Sequence, residues 1–225
     1  MPLSKDNLLF GLEPKLTDEQ KEYVDAIFDY QMVIVNAKSG TGKTTLAVAC
    51  ARLLEKDLVY IFAPVEEHKM GYRPGSQEEK ERAYISPLID ALEEIGEDPN
   101  KVIYSEEAFS DPNRRSQMMQ AMKNGYIWVY PKSHVFLRGT NLKDKVVIID
   151  EAQNFTKSEL KKILTRIHDS CKVIMIGHTG QIDLENPEDS GFEEYLEHFK
   201  NEDYVKVCEL TKNFRGRLAQ HADLL

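Results

Sequence analysis

Residues 32–45 read Met32-Val33-Ile34-Val35-Asn36-Ala37-Lys38-Ser39-Gly40-Thr41-Gly42-Lys43-Thr44-Thr45. The first four residues are a continuous apolar run, the pattern of a strand buried on both faces. The run leads into a glycine-containing turn, and a helix-period segment, 46–54, follows. This is the spacing of a phosphate loop, with Ala37 in the place of its first glycine. Gly40 and Gly42 allow backbone conformations closed to other residues. Successive N–H groups then point inward and cradle phosphates, and the helix N-terminus adds partial positive charge. The expected nucleotide-binding residues are therefore Ala37, Lys38, Ser39, Gly40, Thr41, Gly42, Lys43, Thr44 and Thr45. Lys43 would bridge the β- and γ-phosphates, and the Thr44 hydroxyl would ligate Mg²⁺. The bland alternative is a tight strand–helix turn that is glycine-rich by chance. It leaves a lysine unpaired at a helix start, where a cation is unfavourable without an anion.

A phosphate loop needs an acid at the end of another buried strand. Val146-Val147-Ile148-Ile149-Asp150-Glu151 supplies it. Asp150 is expected in the Mg²⁺ shell, and Glu151 as the general base that polarises the attacking water. Charge on the γ-phosphate at the transition state also calls for an arginine. The candidates are Arg138, Arg166 and Arg215, although each alone is more often a solvated or salt-bridged surface residue. Gln181 follows another apolar run. At a strand's carboxyl end it is placed to reach the γ-phosphate or the water, with a plain turn glutamine as the competing reading.

Further apolar runs lie at 58–62, 126–130 and 173–176, and an alternating one at 204–207. Helix-period segments lie at about 17–30, 43–55, 86–95, 113–123, 157–169 and 189–200. Strands alternating with helices predict an α/β fold with a mainly parallel central sheet. The stretch of about 64–125 exceeds what one crossover needs and reads as an insertion. Otherwise the 225 residues are expected to form a single domain.

Composition excludes several classes. With 41% hydrophobic and 30% charged residues, the chain is neither disordered nor fibrous. No apolar run approaches the roughly 20 residues of a membrane helix, and no signal peptide is apparent at the start. Cys50, Cys171 and Cys208 form no CxxC pair, which fits a reducing cytoplasm. The net charge of −9 gives no global basic field, so nucleic-acid binding would need a local patch.

Taken together, these residues resemble the PhoH-like family of P-loop ATPases, from about residue 16 to 215. The resemblance runs through Gln20-Lys21-Glu22-Tyr23, the phosphate loop, Leu46-Ala47-Val48-Ala49, Gly71-Tyr72-Arg73-Pro74-Gly75 and Pro87-Leu88-Ile89-Asp90-Ala91-Leu92. Its most specific pieces are Leu137-Arg138-Gly139-Thr140, Asp150-Glu151-Ala152-Gln153-Asn154, Leu164-Thr165-Arg166-Ile167 and Gln181-Ile182-Asp183-Leu184 followed by Ser190-Gly191-Phe192. It implies a RecA-like, three-layer P-loop NTPase core related to superfamily 1 helicases. It also implies ATP hydrolysis with Mg²⁺ and a homo-oligomer such as a hexameric ring. By the same resemblance Gln20 contacts adenine, Gln181 senses the γ-phosphate, and Arg166 and Arg215 are finger or sensor candidates. Arg138 lies in a family motif. The chain departs from the family's usual residues at Ala63-Pro64, Gly177-His178 and Lys212-Asn213-Phe214-Arg215-Gly216, which implies weaker turnover or altered coupling. The PIN nuclease domain of longer members is not expected in this chain, nor is nuclease activity.

Some family members act on RNA. Here Arg114, Arg115, Lys123, Lys132, Arg138, Lys143 and Lys145 accompany Tyr126, Trp128, Tyr130 and Phe136. Such a stretch can track single-stranded RNA by charge and stacking. The competing expectation is a buried aromatic strand with solvated flanks, favoured for the aromatics. The acidic stretch 185–203 should repel phosphates. Three other functions stay open: a nucleotide-gated assembly module with little turnover, a thymidine-kinase-like phosphoryl transferase, and a motor on RNA.

Overall fold

The computed structural model describes residues 15–64, 82, 84–137 and 139–222. The Gly71-to-Gly75 motif and Arg138 lie outside the described residues. Among the described residues the sheet has six strands, β1 (Met32–Ala37), β2 (Leu58–Phe62), β3 (Val129–Ser133), β4 (Val146–Ile149), β5 (Lys172–Gly177) and β6 (Val205–Leu210). Their order is β3-β2-β4-β5-β1-β6, and neighbouring strands run parallel. The helices are α1 (Asp18–Asp29), α2 (Lys43–Leu53), α3 (Ser86–Glu94), α4 (Pro99–Val102), α5 (Glu106–Ser110), α6 (Pro112–Lys123), α7 (Lys157–Leu164), α8 (Phe192–Phe199) and α9 (Arg217–Ala222).

The central strands are apolar throughout because side chains alternate between two buried faces. Val33 and Val35 of β1 join Tyr60, Val146 and Ile148 in a core shared with α1, α2 and α3. Met32 and Ile34 point the other way and join Val59, Ile61, Val147, Ile149, Phe155 and Phe192, beneath α7 and α8. The result is a three-layer α/β arrangement around a parallel sheet, as the alternation of strands and helices predicts. Among the described residues no helix is long and apolar enough to cross a membrane.

Two elements depart from expectation. The run 126–130 was expected to be a strand, but β3 begins at Val129 and continues through Pro131, Lys132 and Ser133. Residues 125–127 instead leave α6: the N–H groups of Gly125, Tyr126 and Ile127 donate back to the carbonyls of Met122, Ala121 and Ala121. Pro131 is tolerated because β3 is at the sheet edge, where a missing N–H costs no ladder bond. The helix expected over 157–169 ends at Leu164, where the Thr165 hydroxyl bonds back to the Lys161 carbonyl at 2.8 Å.

The described part of the segment between β2 and β3 is only partly peripheral. Leu88, Ala91 and Leu92 of α3 are fully buried in the first core, against α2. By contrast, α6 buries none of its residues.

Candidate functional site

In a parallel sheet, ligands gather at the carboxyl ends of the strands. Here β1, β4 and β5 end there in Ala37, Ile149 and Gly177. The phosphate loop leaves β1 and turns through Gly40 and Gly42, at φ +77° and +81°. Both values lie in the left-handed region that glycine tolerates. Thr41 is fully buried, and its hydroxyl donates to the Lys38 carbonyl at 3.0 Å, closing the loop. The Gly42 carbonyl accepts from the Leu46 N–H as the first turn of α2. The N–H groups at the start of α2 therefore have no partner within the helix and are available to an anion.

Lys43 and Thr44 at that helix start meet the acids after β4. The Lys43 Nζ lies 3.2 Å from the Glu151 Oε1, with the lysine side chain 8% exposed. The Thr44 hydroxyl donates to the Asp150 Oδ2 at 3.2 Å. The buried Tyr60 hydroxyl donates to the same carboxylate oxygen at 2.5 Å. Burial, then the Glu151 charge, pushes the Asp150 carboxyl up, while Lys43 and the Tyr60 hydrogen bond oppose that rise. A hydroxyl oxygen and a carboxylate oxygen this close are a donor set suited to a hard divalent cation. The residues thus fit Mg²⁺, which Thr44 and Asp150 could hold.

Glu151 sits at φ +49°, ψ +47°, a left-handed conformation uncommon for a non-glycine residue. Such strain often accompanies function. Its N–H donates to the Asp150 Oδ1 at 2.9 Å, and its Oε2 accepts from the Gln153 amide at 2.6 Å. The other end of the Gln153 side chain accepts from the His178 N–H at 3.1 Å. The neighbouring Asn154 exchanges two hydrogen bonds with Asp183. The acidic turn is therefore tied to the loop after β5.

A family model described as "PhoH-like protein" matches residues 12–223. The chain belongs to the PhoH-like family. It is similar to "Protein PhoH2" of Bacillus subtilis, 30% identical over 232 residues, covering 98% of this chain and 49% of that protein. It is also similar to a "PhoH-like protein" of Mycobacterium bovis, 34% identical over 206 residues, with 89% and 53% covered. The chain spans about half the length of these curated relatives. Among solved structures, a Bacteroides Pif1 in complex with ADP-AlF4 is similar at 17% identity and TM-score 0.44, over 93% of this chain and 45% of that one. The arterivirus nonstructural protein 10 helicase with DNA is similar at 17% identity and TM-score 0.47, over 84% and 37%.

In this PhoH-like chain the predicted residues fall into two groups. Lys43, Thr44, Asp150 and Glu151 converge. Arg215 lies against the phosphate loop: its Cγ is 2.6 Å from where a Cβ on Gly40 would be, and the Phe214 N–H donates to the Gly40 carbonyl at 2.8 Å. Gln181 is exposed in the loop after β5, at the same end of the sheet. The Gln20 amide donates to the Thr41 carbonyl at 2.9 Å, and its oxygen accepts from the Thr17 N–H, so the side chain braces the phosphate loop. The Thr45 hydroxyl turns away to Glu94 of α3 at 2.7 Å.

Arg166 is not brought to the site. Its carbonyl accepts from the Leu142 N–H, and Leu142 bridges to Ile167 ahead of β4 and β5. That is the amino end of the sheet, at least ~13 Å from Asp150 at four strand residues of about 3.3 Å each.

Sequence reasoning missed Tyr60 and Gln153. Tyr60 had one available signal: a tyrosine hydroxyl in a buried strand needs a partner. The aromatics near β3 divide. Trp128 is buried, with the Arg52 guanidinium 5.2 Å from its ring, whereas Tyr126 and Phe136 are 65% and 56% exposed. Of the charges there, Lys145 pairs with Asp57 at 2.5 Å and Arg115 lies over Phe109, while Arg114 and Lys123 are exposed on α6.

Proposed function

We propose that this chain hydrolyses ATP with Mg²⁺. The single observation that carries the reading is the convergence of Lys43 with Glu151 and of Thr44 with Asp150 at the carboxyl end of the sheet. Lys43 and the loop N–H groups hold the β- and γ-phosphates. Thr44 and Asp150 would hold Mg²⁺, which when bound would offset phosphate charge as the bond from the γ-phosphorus to the bridging oxygen breaks. Glu151 takes a proton from water, whose oxygen bonds to the γ-phosphorus, and the bridging oxygen leaves with ADP. Gln153, on the other Glu151 oxygen, keeps that carboxylate facing the water.

Arg215, lying on the phosphate loop, supplies charge to the γ-phosphate from within the subunit, and Gln181 orients the water. Arg166, at the opposite sheet end, acts only across an interface in a homo-oligomer. Single-stranded RNA is a partner of the exposed stretch that carries Arg114, Lys123 and Tyr126. The setting is the cytoplasm.

Steady-state ATPase activity with Mg²⁺, with and without single-stranded RNA, tests this beside Glu151→Gln. Turnover that the substitution abolishes supports the reading, and RNA stimulation supports the partner. Tight ATP binding without turnover in the wild type overturns it in favour of a nucleotide-gated module.

A further inference from the structure

The loop after β5 carries an imidazole beside the phosphate loop. Asn36 of β1 stands opposite Gly177 of β5, so the next residue, His178, enters the position beside Ala37, just before Lys38. The loop is held in place. The His178 N–H donates to Gln153, the Thr179 N–H to the Asn36 Oδ1 at 3.3 Å, and the Asp183 N–H to Asn154 at 2.8 Å.

The ring is held as well. The Gly180 N–H donates to the His178 Nδ1 at 3.1 Å. Nδ1 is therefore an acceptor, and the neutral ring carries its proton on Nε2. A Cβ on Gly180 would fall 2.8 Å from the ring's Cε1, so glycine is what lets the backbone approach the imidazole. The charges that act on the ring are those of Lys38 and Lys43, from the phosphate loop and α2, and of Glu151, from the turn after β4. Burial and then the two lysines push the imidazole below its ordinary value of 6.5, and Glu151 only partly offsets them. Around neutrality the free protein thus presents a neutral N–H donor on the loop alongside the phosphate loop. An anion held by those lysines would be within the same cluster of donors.

We propose that His178 donates its Nε2–H to the terminal phosphate of a bound nucleoside triphosphate, and so distinguishes triphosphate from diphosphate. This deepens the ATPase reading and rests on it. The loop N–H groups hold the β-phosphate and Lys43 bridges it to the γ-phosphate, which projects toward the acidic turn and the loop after β5. Only a triphosphate reaches the imidazole.

The test is the affinity of wild type and His178→Ala for ADP and for a non-hydrolysable ATP analogue, both with Mg²⁺. The variant should lose about tenfold for the analogue, the size of a hydrogen bond to a charged group, and keep its ADP affinity. Retained ADP affinity also reports an intact fold. In the wild type the His178 ring nitrogen resonances should move with the analogue and stay in place with ADP. Equal losses for both nucleotides, no loss for either, or ring signals indifferent to the analogue overturn the proposal. A wild type that binds neither nucleotide overturns the ATPase reading itself, before any variant is compared.

Discussion

The Lys43 ammonium contacts Oε1 of Glu151 at 3.2 Å, so the phosphate-loop cation is paired with the carboxylate assigned as base. The lysine is nearly buried and needs a counter-charge, while Glu151 is 43% exposed and gains little from the pair. Such a half-exposed pair contributes about 1 kcal/mol or less. It therefore yields easily when phosphates approach. In the proposed reaction Lys43 would then turn to the phosphates, leaving Glu151 to the water with Gln153 still on its other oxygen.

Glu151→Gln removes the proton acceptor and keeps the shape. Turnover should fall roughly 10²- to 10⁴-fold, the usual range for a general base. Binding of the ATP analogue should persist, because the lysine is then freer to meet phosphate. Steady-state kinetics and calorimetry check the two halves.

Gly40→Ala places a Cβ 2.6 Å from both the Arg215 Cγ and the Asn213 Oδ1, at φ +77°. The loop and the 213–215 segment cannot both keep their places. Nucleotide affinity should fall by about tenfold or more, equivalent to roughly 1.4 kcal/mol, and titration by calorimetry reads it. The core strands lie elsewhere, so the circular dichroism spectrum should not change.

Tyr60→Phe takes the only side-chain hydroxyl from β2 and leaves Asp150 with one donor fewer. A hydrogen bond to a buried charged group contributes about 1.5–3 kcal/mol. Unfolding in urea should show a loss of that order, and half-maximal activity should need more Mg²⁺.

Gly177 lies against the Phe192 ring, where an added Cβ would come within 2.7 Å. Gly177→Ala must displace a fully buried aromatic or the end of β5. Overpacking of this kind costs about 1–3 kcal/mol. Thermal unfolding measures it, and Gly177→Ala combined with Phe192→Leu should recover part of the loss.

Glu159 caps α7 and faces His134 at 3.1 Å. Burial raises its carboxyl, but the Thr156 N–H and hydroxyl and His134 outweigh this and hold it below its ordinary value of 4.5. A depressed folded value contributes stability that is present above 4.5 and lost as pH falls through the folded value. Wild type should lose stability more steeply below that pH than Glu159→Gln, as denaturation at several acidic pH values would show.

Much of this was legible without coordinates. Val33-to-Val35 and Val146-to-Ile149 are apolar at every position, and only strands buried on both faces need that. The turn 37–45 and the acids at 150–151 are contiguous motifs, so their place at strand ends followed from local pattern alone. The β3 boundary was not legible: Tyr126 and Ile127 look like strand residues, but their N–H groups close α6, and the register with β2 starts at Val129.

What the sequence alone determined is the layered parallel α/β fold and the four residues at its carboxyl end, because apolar periodicity and glycine geometry are properties of neighbouring residues. Only the tertiary structure decided the rest. It joined Tyr60 to Asp150, laid Arg215 on Gly40, tied Glu151 through Gln153 to the His178 loop, and left Arg166 at the far end of the sheet. These pairings join segments remote in sequence. They are set by which strands lie side by side and how their ends align, and the motifs themselves carry no trace of that.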